Sequence, residues 1–404
     1  MRFLIFGINY YPELTGIGKY TAEMCEWLTS KGYEVSVITA NPYYPEWKIF
    51  SEYKNSFSKG IKDKVKIYRN PLYIPSTVSG KKRILHEMSF ILSSSVTWIK
   101  FLFKKRYDII VCIAPPFHLG FFGLIYKKIR GGLLVYHIQD LQVDAAKELE
   151  LIKSRTLLRW ITVLEKYILK KVDIITTISQ GMKMKIEQKK IQKDVFLVPN
   201  WVDTQFIKPL PRTKSLREAL GYSNTDFLIL YSGNLGEKQG LEVIVQAAKS
   251  LESEQRIKFL ICGNGVFKAR LKTLANECYL KNVKFIDLLP YDKLPQLLNS
   301  ADVHLILQKL NVADLVLPSK LTGIVSSGGA SIVTASPGTT LYETVKKHKL
   351  GKVIDPENVD SLVNAINECM ISDITEYKTC ARNYAEEFLN KDRILGEFIK
   401  VLKQ

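Results

Sequence analysis

The sequence predicts two doubly wound α/β domains, each built on a parallel sheet, and three observations carry that prediction. Short, continuously apolar runs of strand length recur along the chain, as in "RFLIFGIN" (2–9) and "DFLILYSG" (226–233); strands apolar on both faces belong to sheets covered by helices on both sides. These runs alternate with segments whose apolar residues return at helical spacing. Glycine-rich turns follow several of the runs directly, as strand-to-helix turns do in such sheets.

Taken in order, the first run (2–9) leads through the loop "YYPELTGIGKY" to a helical segment at 21–32, with Gly32 as its stop. Strands follow at 33–40, 108–114, 133–138 and 173–179. Between them, residues 81–106 place aromatic and branched residues between basic clusters at Lys81–Arg83 and Lys104–Arg106. That pattern reads either as a helix lying on a membrane surface or as a core helix with solvated ends. Around 196–214, Pro199, Pro209 and Pro211 break the periodicity and mark a linker. The pattern then restarts with a strand at 226–233, a helix at 241–252, a strand and turn at 257–265, and strands at 302–307 and 330–335. A short helix at 318–327 opens on Pro318, Ser319 and Lys320. The expected boundaries are a first domain over 1–200, a second over 201–390 and a final helix over 391–404. Ligands of such sheets sit at the carboxyl ends of the strands, so a two-domain version is expected to bind in the cleft between its halves.

At 404 residues the chain exceeds one ordinary core, and 46% hydrophobic with 24% charged residues excludes a disordered chain. The N-terminus reads as a strand and not a signal peptide, and no apolar run approaches the roughly 18 residues of a membrane span. Six cysteines stand singly with no Cys-x-x-Cys pair, the usage of a reducing compartment. Residues 1–200 carry 32 Lys and Arg against 17 Asp and Glu, whereas 201–404 carry 26 against 23. A basic half beside a near-neutral half points to an acidic partner for the first half, or else serves solubility alone. No nucleic-acid reader motif accompanies the charge, so no nucleic-acid partner is expected.

Three glycine loops follow strands: Gly16 and Gly18; Gly233, Gly236 and Gly240; Gly263 and Gly265. Glycine lets backbone N–H groups approach a ligand, and the following helix start adds positive potential. None has the spacing of a dinucleotide fold or P-loop, but three together with the Pro-Ser-Lys helix start point to bound phosphate. Lys238 lies in the second loop and Lys320 in the first turn of its helix. A cation at a helix N-terminus is unfavourable unless an anion answers it; each lysine alone also reads as a solvated charge. No two of the five histidines have ligand spacing, and Asp140 and Asp144 read as solvated carboxylates. Cations of the protein, with no metal and no cofactor, are therefore expected to neutralise the phosphates.

In that order of motifs, "NYYPELTGIGKY", "VYHIQD", "TTISQGM", "VPNWVD", "YSGNLGEKQG", "ICGNG" and "LPSKLTGIVSSGG", the chain resembles the family-4 retaining glycosyltransferases of GT-B type over nearly its whole length. It most resembles those of colanic acid biosynthesis (fucosyltransferases) and related O-antigen and capsule enzymes. The resemblance implies two Rossmann-like domains, acceptor on the first and donor nucleotide on the second, with the last helix crossing back to the first. It implies that Gly16, with Gly18, approaches the donor diphosphate across the cleft and that His137 orients the donor sugar; His137 also reads as a hydrogen-bonded strand-end histidine. Lys238 and Lys320 would neutralise the leaving diphosphate, with Gly233, Asn234, Pro318 and Ser319 around it. Asn264 and Gly265 would line the nucleotide, and Leu288 and Leu289 would flank its base.

Two departures stand out. Asn234 takes the place of a common arginine, and Gln239 that of the usual lysine, with Lys238 one position earlier. The family's paired glutamates fall on Leu315 and Gly323, leaving Asp314 as the nearest replacement and implying altered donor recognition.

The resemblance therefore implies a membrane-peripheral, cytoplasmic enzyme. It would move a sugar from a UDP- or GDP-linked donor to a polyprenyl-diphosphate-linked saccharide, with the basic half against the anionic inner membrane. Two alternatives remain on the residues alone: a nucleotide-sugar 2-epimerase of the same architecture, which needs acid/base carboxylates, and a non-catalytic nucleotide- or membrane-binding module.

Overall fold

The computed structural model describes residues 1–13, 16–77, 79–148, 154–310 and 318–403, without the side chains of Lys81, Glu148 and Lys238. The chain divides into two units, Met1–Pro199 with Leu395–Gln404, and Asn200–Ile394.

The first unit holds β1 (Arg2–Phe6), β2 (Glu34–Ala40), β3 (Ser58–Lys62), β4 (Val65–Asn70), β5 (Ile109–Ala114), β6 (Leu133–Ile138), β7 (Ile174–Thr177) and β8 (Val195–Leu197). They form one sheet in the order β3-β4-β2-β1-β5-β6-β7-β8. Its pairings are parallel except at the edge, where β3 runs antiparallel to β4. That hairpin corrects the all-parallel expectation. Asp63 (φ 49°) and Lys64 (φ 64°) turn the chain in the left-handed region, the geometry that matches strand twist in a two-residue hairpin.

Its helices are α1 (Gly16–Ser30), α2 (Gly80–Leu102), α3 (Leu119–Arg130), α4 (Gln142–Glu148), α5 (Arg155–Lys171) and α6 (Gln180–Gln188). Ser79, Ser154 and Ser179 cap α2, α5 and α6 by accepting from first-turn N–H groups. α1 starts upstream of the predicted 21, and its apolar side buries Tyr20, Met24, Trp27 and Leu28. The Phe6 ring stacks on Trp98 at 4.9 Å and meets Phe122 edge-on, tying β1 to α2 and α3.

The second unit holds β9 (Phe227–Ser232), β10 (Ile257–Cys262), β11 (Val283–Ile286), β12 (Val303–Ile306), β13 (Ala330–Thr334) and β14 (Gly351–Ile354). They form a parallel sheet in the order β11-β10-β9-β12-β13-β14. Its helices are α7 (Glu242–Ser250), α8 (Lys268–Glu277), α9 (Leu294–Leu298), α10 (Ser319–Ser326), α11 (Thr340–Lys347), α12 (Val359–Ile371) and α13 (Thr375–Phe388); α14 (Lys391–Val401) follows and carries the chain out of this unit. Successive strand residues point to opposite faces. Leu228 and Leu230 therefore pack with Leu321 and Ala381 on one side, while Ile229 and Tyr231 pack with Ile244 and Leu362 on the other. This two-sided burial is why the strands read as unbroken apolar runs.

In both sheets the strand order reverses beside the first strand of the unit: between β1 and β5, and between β9 and β12. Such switch points are where open α/β sheets take ligands. All six cysteines are free thiols. Among the described residues no helix is long and apolar enough to cross a membrane.

Candidate active site

At the second switch point the loops after β9 and β10 are laced together. Gly233 N donates to Cys262 O (2.9 Å), Leu235 N to Asn264 O (2.9 Å) and Phe267 N to Leu235 O (3.0 Å). The packing leaves no room for side chains: a Cβ on Gly263 would stand 2.0 Å from Gly233 O, and Gly265, at φ +151°, would put one 2.3 Å from Leu235 O. Glycine there lets the two backbones touch.

Lys320 reaches this knot from the first turn of α10. Its Nζ lies 4.0 Å from the Tyr231 ring centroid and 3.5 Å from where a Cβ on Gly233 would be. Among the described residues no carboxylate pairs with it. Burial pushes its pKa down to about 7, although the residue as a whole is part-exposed. An ammonium packed at a helix start without a counter-ion is an electrostatic demand for an anion. Pro318 caps α10 and accepts from Leu321 N, and Ser319 is exposed beside it.

The remaining residues that the sequence reading placed around the donor divide by their contacts. Asn234 O accepts from the Tyr231 hydroxyl (2.8 Å). The Asn264 side chain accepts from Lys268 Nζ (3.1 Å), which also pairs with Asp287 (2.6 Å). Leu288 is exposed, whereas Leu289 packs against the core. Gln239 folds back to accept from Gly236 N (3.1 Å), a contact a lysine there could not make. Lys238 lies in a short turn, Glu237–Gln239, but its side chain falls outside the described residues, as do Asp314 and Leu315 entirely. Gly323 faces Leu298 and Ile207.

At the first switch point a cavity of about 200 Å³ is lined by residues after β1 (Ile8, Asn9), after β5 (Pro115, Pro116) and from α2 (Arg83, His86, Glu87), with Gly16 and Asp140. Gly16 is exposed at φ +59°, while Gly18 is buried against Glu13, where a Cβ would come within 2.8 Å of Oε2. Buried Glu13 accepts from Tyr43 N and Tyr44 N (3.0 Å each) and from Asn9 Nδ2 (2.9 Å), which shapes the cavity wall. Burial raises its pKa and that of Glu87, whose oxygens accept from Gln142 Nε2 at 2.8 and 2.9 Å. His86 Nδ1 meets Tyr73 O at 2.6 Å, and its buried Nε2 has no partner among the described residues. Asp140 stands exposed at the rim, yet partial desolvation still raises its pKa. Asp144 is no solvated carboxylate: it pairs with Lys189 (2.6 Å), which also holds Glu165.

His137 is buried near the end of β6, not among the cavity-lining residues, with Nδ1 2.8 Å from Thr176 Oγ1. Burial pushes its pKa down to about 4, so the imidazole is neutral near pH 7. Among the described residues no group of three or more His, Cys, Asp or Glu is arranged to hold a metal ion. Sequence reasoning missed Glu13, Arg83, His86 and Glu87. The one signal was the pair His86-Glu87, polar and adjacent between the apolar Ile84-Leu85 and Met88 of α2.

Residues 14–206 match the profile described as Glycosyltransferase Family 4, and residues 213–388 match that of Glycosyl transferases group 1. Over 412 aligned positions spanning all of both chains, the sequence is 39% identical to a protein of Escherichia coli (strain K12) that goes by the name "Putative colanic acid biosynthesis glycosyl transferase WcaI". The chain belongs to glycosyltransferase family 4. The fold of this family-4 chain is GT-B: its solved neighbours include a sucrose-phosphate synthase from Thermosynechococcus elongatus (TM-score 0.75, 16% identity, 100% of this chain and 98% of that one). Another is Anabaena Alr3699/HepE, solved in complex with UDP (TM-score 0.72, 16% identity, 100% of both chains). In this family-4 glycosyltransferase, then, two switch points present different chemistry, one a lysine with no carboxylate partner among the described residues and the other a small cavity lined by Glu87 and Asp140 together with Arg83 and His86.

Proposed function

We propose that the chain transfers a sugar, with retention of anomeric configuration, from a UDP- or GDP-linked donor to a polyprenyl-diphosphate-linked saccharide during bacterial exopolysaccharide, capsule or O-antigen assembly. It would work at the inner face of the cytoplasmic membrane and without a divalent metal. The observation that carries this reading is the Lys320 ammonium at the Gly233 end of β9, which no carboxylate among the described residues pairs with. The name of the Escherichia coli relative supports the pathway class, and the UDP in the HepE structure supports a nucleotide ligand.

In this mechanism the diphosphate lies against Lys320, the α10 start and the Gly233 backbone, with Lys238 from the neighbouring turn. These cations answer the charge that grows on the leaving phosphate oxygen. The acceptor hydroxyl attacks the anomeric carbon on the face the diphosphate leaves. The departing oxygen takes the hydroxyl proton, so no protein base is required. A neutral His137 suits hydrogen bonding to a sugar hydroxyl better than proton abstraction. The cavity lined by His86, Glu87 and Asp140 is the acceptor's polar subsite in this reading, and Asn264, Gly265 and Leu288 meet the nucleoside.

Melting the protein with a panel of UDP- and GDP-sugars tests the donor. At 100 times its dissociation constant a true donor stabilises by about 2.7 kcal/mol, a rise of roughly 5–11 °C for a domain of this size. No shift with any donor would sink the reading. An inverted product in transfer to a lipid-linked saccharide, or activity lost to EDTA and restored by Mg²⁺, would overturn the stereochemical or the metal-free part.

A further inference from the structure

Three neighbouring helices of the first unit carry apolar residues on the side that does not face the sheet. On α2, Met88, Leu92, Val96 and Ile99 recur at helical spacing, all exposed, with Leu92 at 68%, and Phe103 continues the line at 84%. α2 packs beside α3, and α3 beside α5, through Trp98 against Tyr126 and Phe121 stacked on Tyr167. α3 adds exposed Ile125 and Ile129, and α5 adds exposed Trp160 (62%), Val163 and Tyr167. α1 shows the ordinary pattern instead, with its large apolar side chains buried.

The charges on the same three helices are one-sided. They carry twelve Lys and Arg and only two acids, Glu87 and Glu165, both of them buried. A face that is apolar along its ridges and cationic between them suits a surface with anionic headgroups above hydrocarbon. A second copy suits it poorly, because a two-fold contact would set the cations of one face against those of the other. Trp160 and Tyr167 are residues that favour the headgroup level.

We infer that α2, α3 and α5 together form one docking face for an anionic lipid bilayer, and that it lies flat on the membrane without crossing it. This rests on the lipid-linked acceptor proposed above and sharpens it. α2 serves both sides: its outer stripe meets lipid, while Arg83, His86 and Glu87 line the cavity. An acceptor carried on a membrane-anchored lipid would be presented next to that cavity.

Sedimentation of the full chain with vesicles tests the face: phosphatidylcholine alone, and phosphatidylcholine with 30 mol% phosphatidylglycerol, at low and high salt. Retention is expected only on the anionic vesicles, falling with salt, with a blue shift of tryptophan emission. Leu92→Glu and, separately, Trp160→Glu should each weaken partitioning about tenfold or more, without lowering the melting temperature, whereas Ile371→Glu on the second unit should not. Equal retention of Trp160→Glu and wild type would overturn the three-helix face. So would failure of wild type to bind, or a dimer that either substitution dissolves. Donor melting shifts measured on the same samples keep the two readings apart: shifts without vesicle binding sink the face, and vesicle binding without shifts sinks the transferase assignment.

Discussion

Lys320→Ala is expected to lower transfer by about 100- to 1,000-fold, the usual cost of removing one preorganised group that meets charge growing in a transition state. The loss should appear in kcat, because the diphosphate gains its extra charge only as the bond to the sugar breaks. Stability should move the other way. Burial holds the folded pKa of Lys320 at about 7, below the 10.5 of an unperturbed lysine. Between those values the unfolded chain binds the proton more than the folded chain does, so stability of the free protein rises with pH across that interval. Lys320→Met should flatten this slope and melt higher than wild type below pH 7. Donor binding should show the converse: a diphosphate against the ammonium favours the charged form, so affinity falls as pH rises above about 7. An alanine variant with full kcat, or a wild-type melting curve indifferent to pH from 7 to 10, would remove Lys320 from the leaving-group site.

Most of the sheet was legible because a strand buried on both faces is apolar at most positions, as in β1, β5, β6, β9 and β10; β2 shows it less cleanly, with Glu34, Ser36 and Thr39 among its apolar residues. What was missed lacks that signature for a physical reason. β3 is an exposed edge strand whose one large apolar residue, Ile61, points to solvent. β14 is only half-buried and ends a sheet. On the second unit the glycines and Lys320 could be picked out because glycine-rich turns and a lysine at a helix start stand out in the sequence itself. The cavity on the first unit could not. It is assembled from α2, the segment after β1 and the segment after β5, and neither Glu13 nor His86 has a neighbour in sequence that announces its partners. Gly18 shows the limit of motif reading: its contact in the fold is Glu13, a packing reason that the loop motif alone does not reveal. The apolar stripe of α2 was ambiguous for a related reason, since one helical period describes both a core-facing and a lipid-facing helix. Here α2 has both, with Phe90, Trp98 and Phe101 inside and Leu92 outside.

Gly263→Ala is expected to be strongly damaging for the addition of a single methyl. The added Cβ would stand 2.0 Å from Gly233 O and 3.2 Å from Leu235 Cγ. Leucine can rotate away; a backbone carbonyl at the end of a central strand cannot. Gly233 is held by its N–H to Cys262 O, so moving it strains the β9–β10 pairing as well. Overpacking of this kind costs about 3 kcal/mol, or roughly 6–12 °C of melting temperature in a domain of this size. The fraction that stays folded should still be impaired, because Gly233 is the surface against which Lys320 sits, and a shift of about 1 Å in a positioned group costs on the order of 100-fold in rate. Gly396→Ala is the contrast. It lies within α14 with nothing inside 4 Å of the new Cβ, so alanine should stabilise by up to about 1 kcal/mol through helix propensity and leave kcat/KM unchanged. Calorimetry of both variants, with kcat/KM measured below their transitions, separates a loop that needs glycine for contact from a glycine that is merely tolerated. If Gly263→Ala melts and turns over like wild type, the two loops are not packed as tightly as their hydrogen bonds require, and the seat proposed for the leaving diphosphate loses its rigidity.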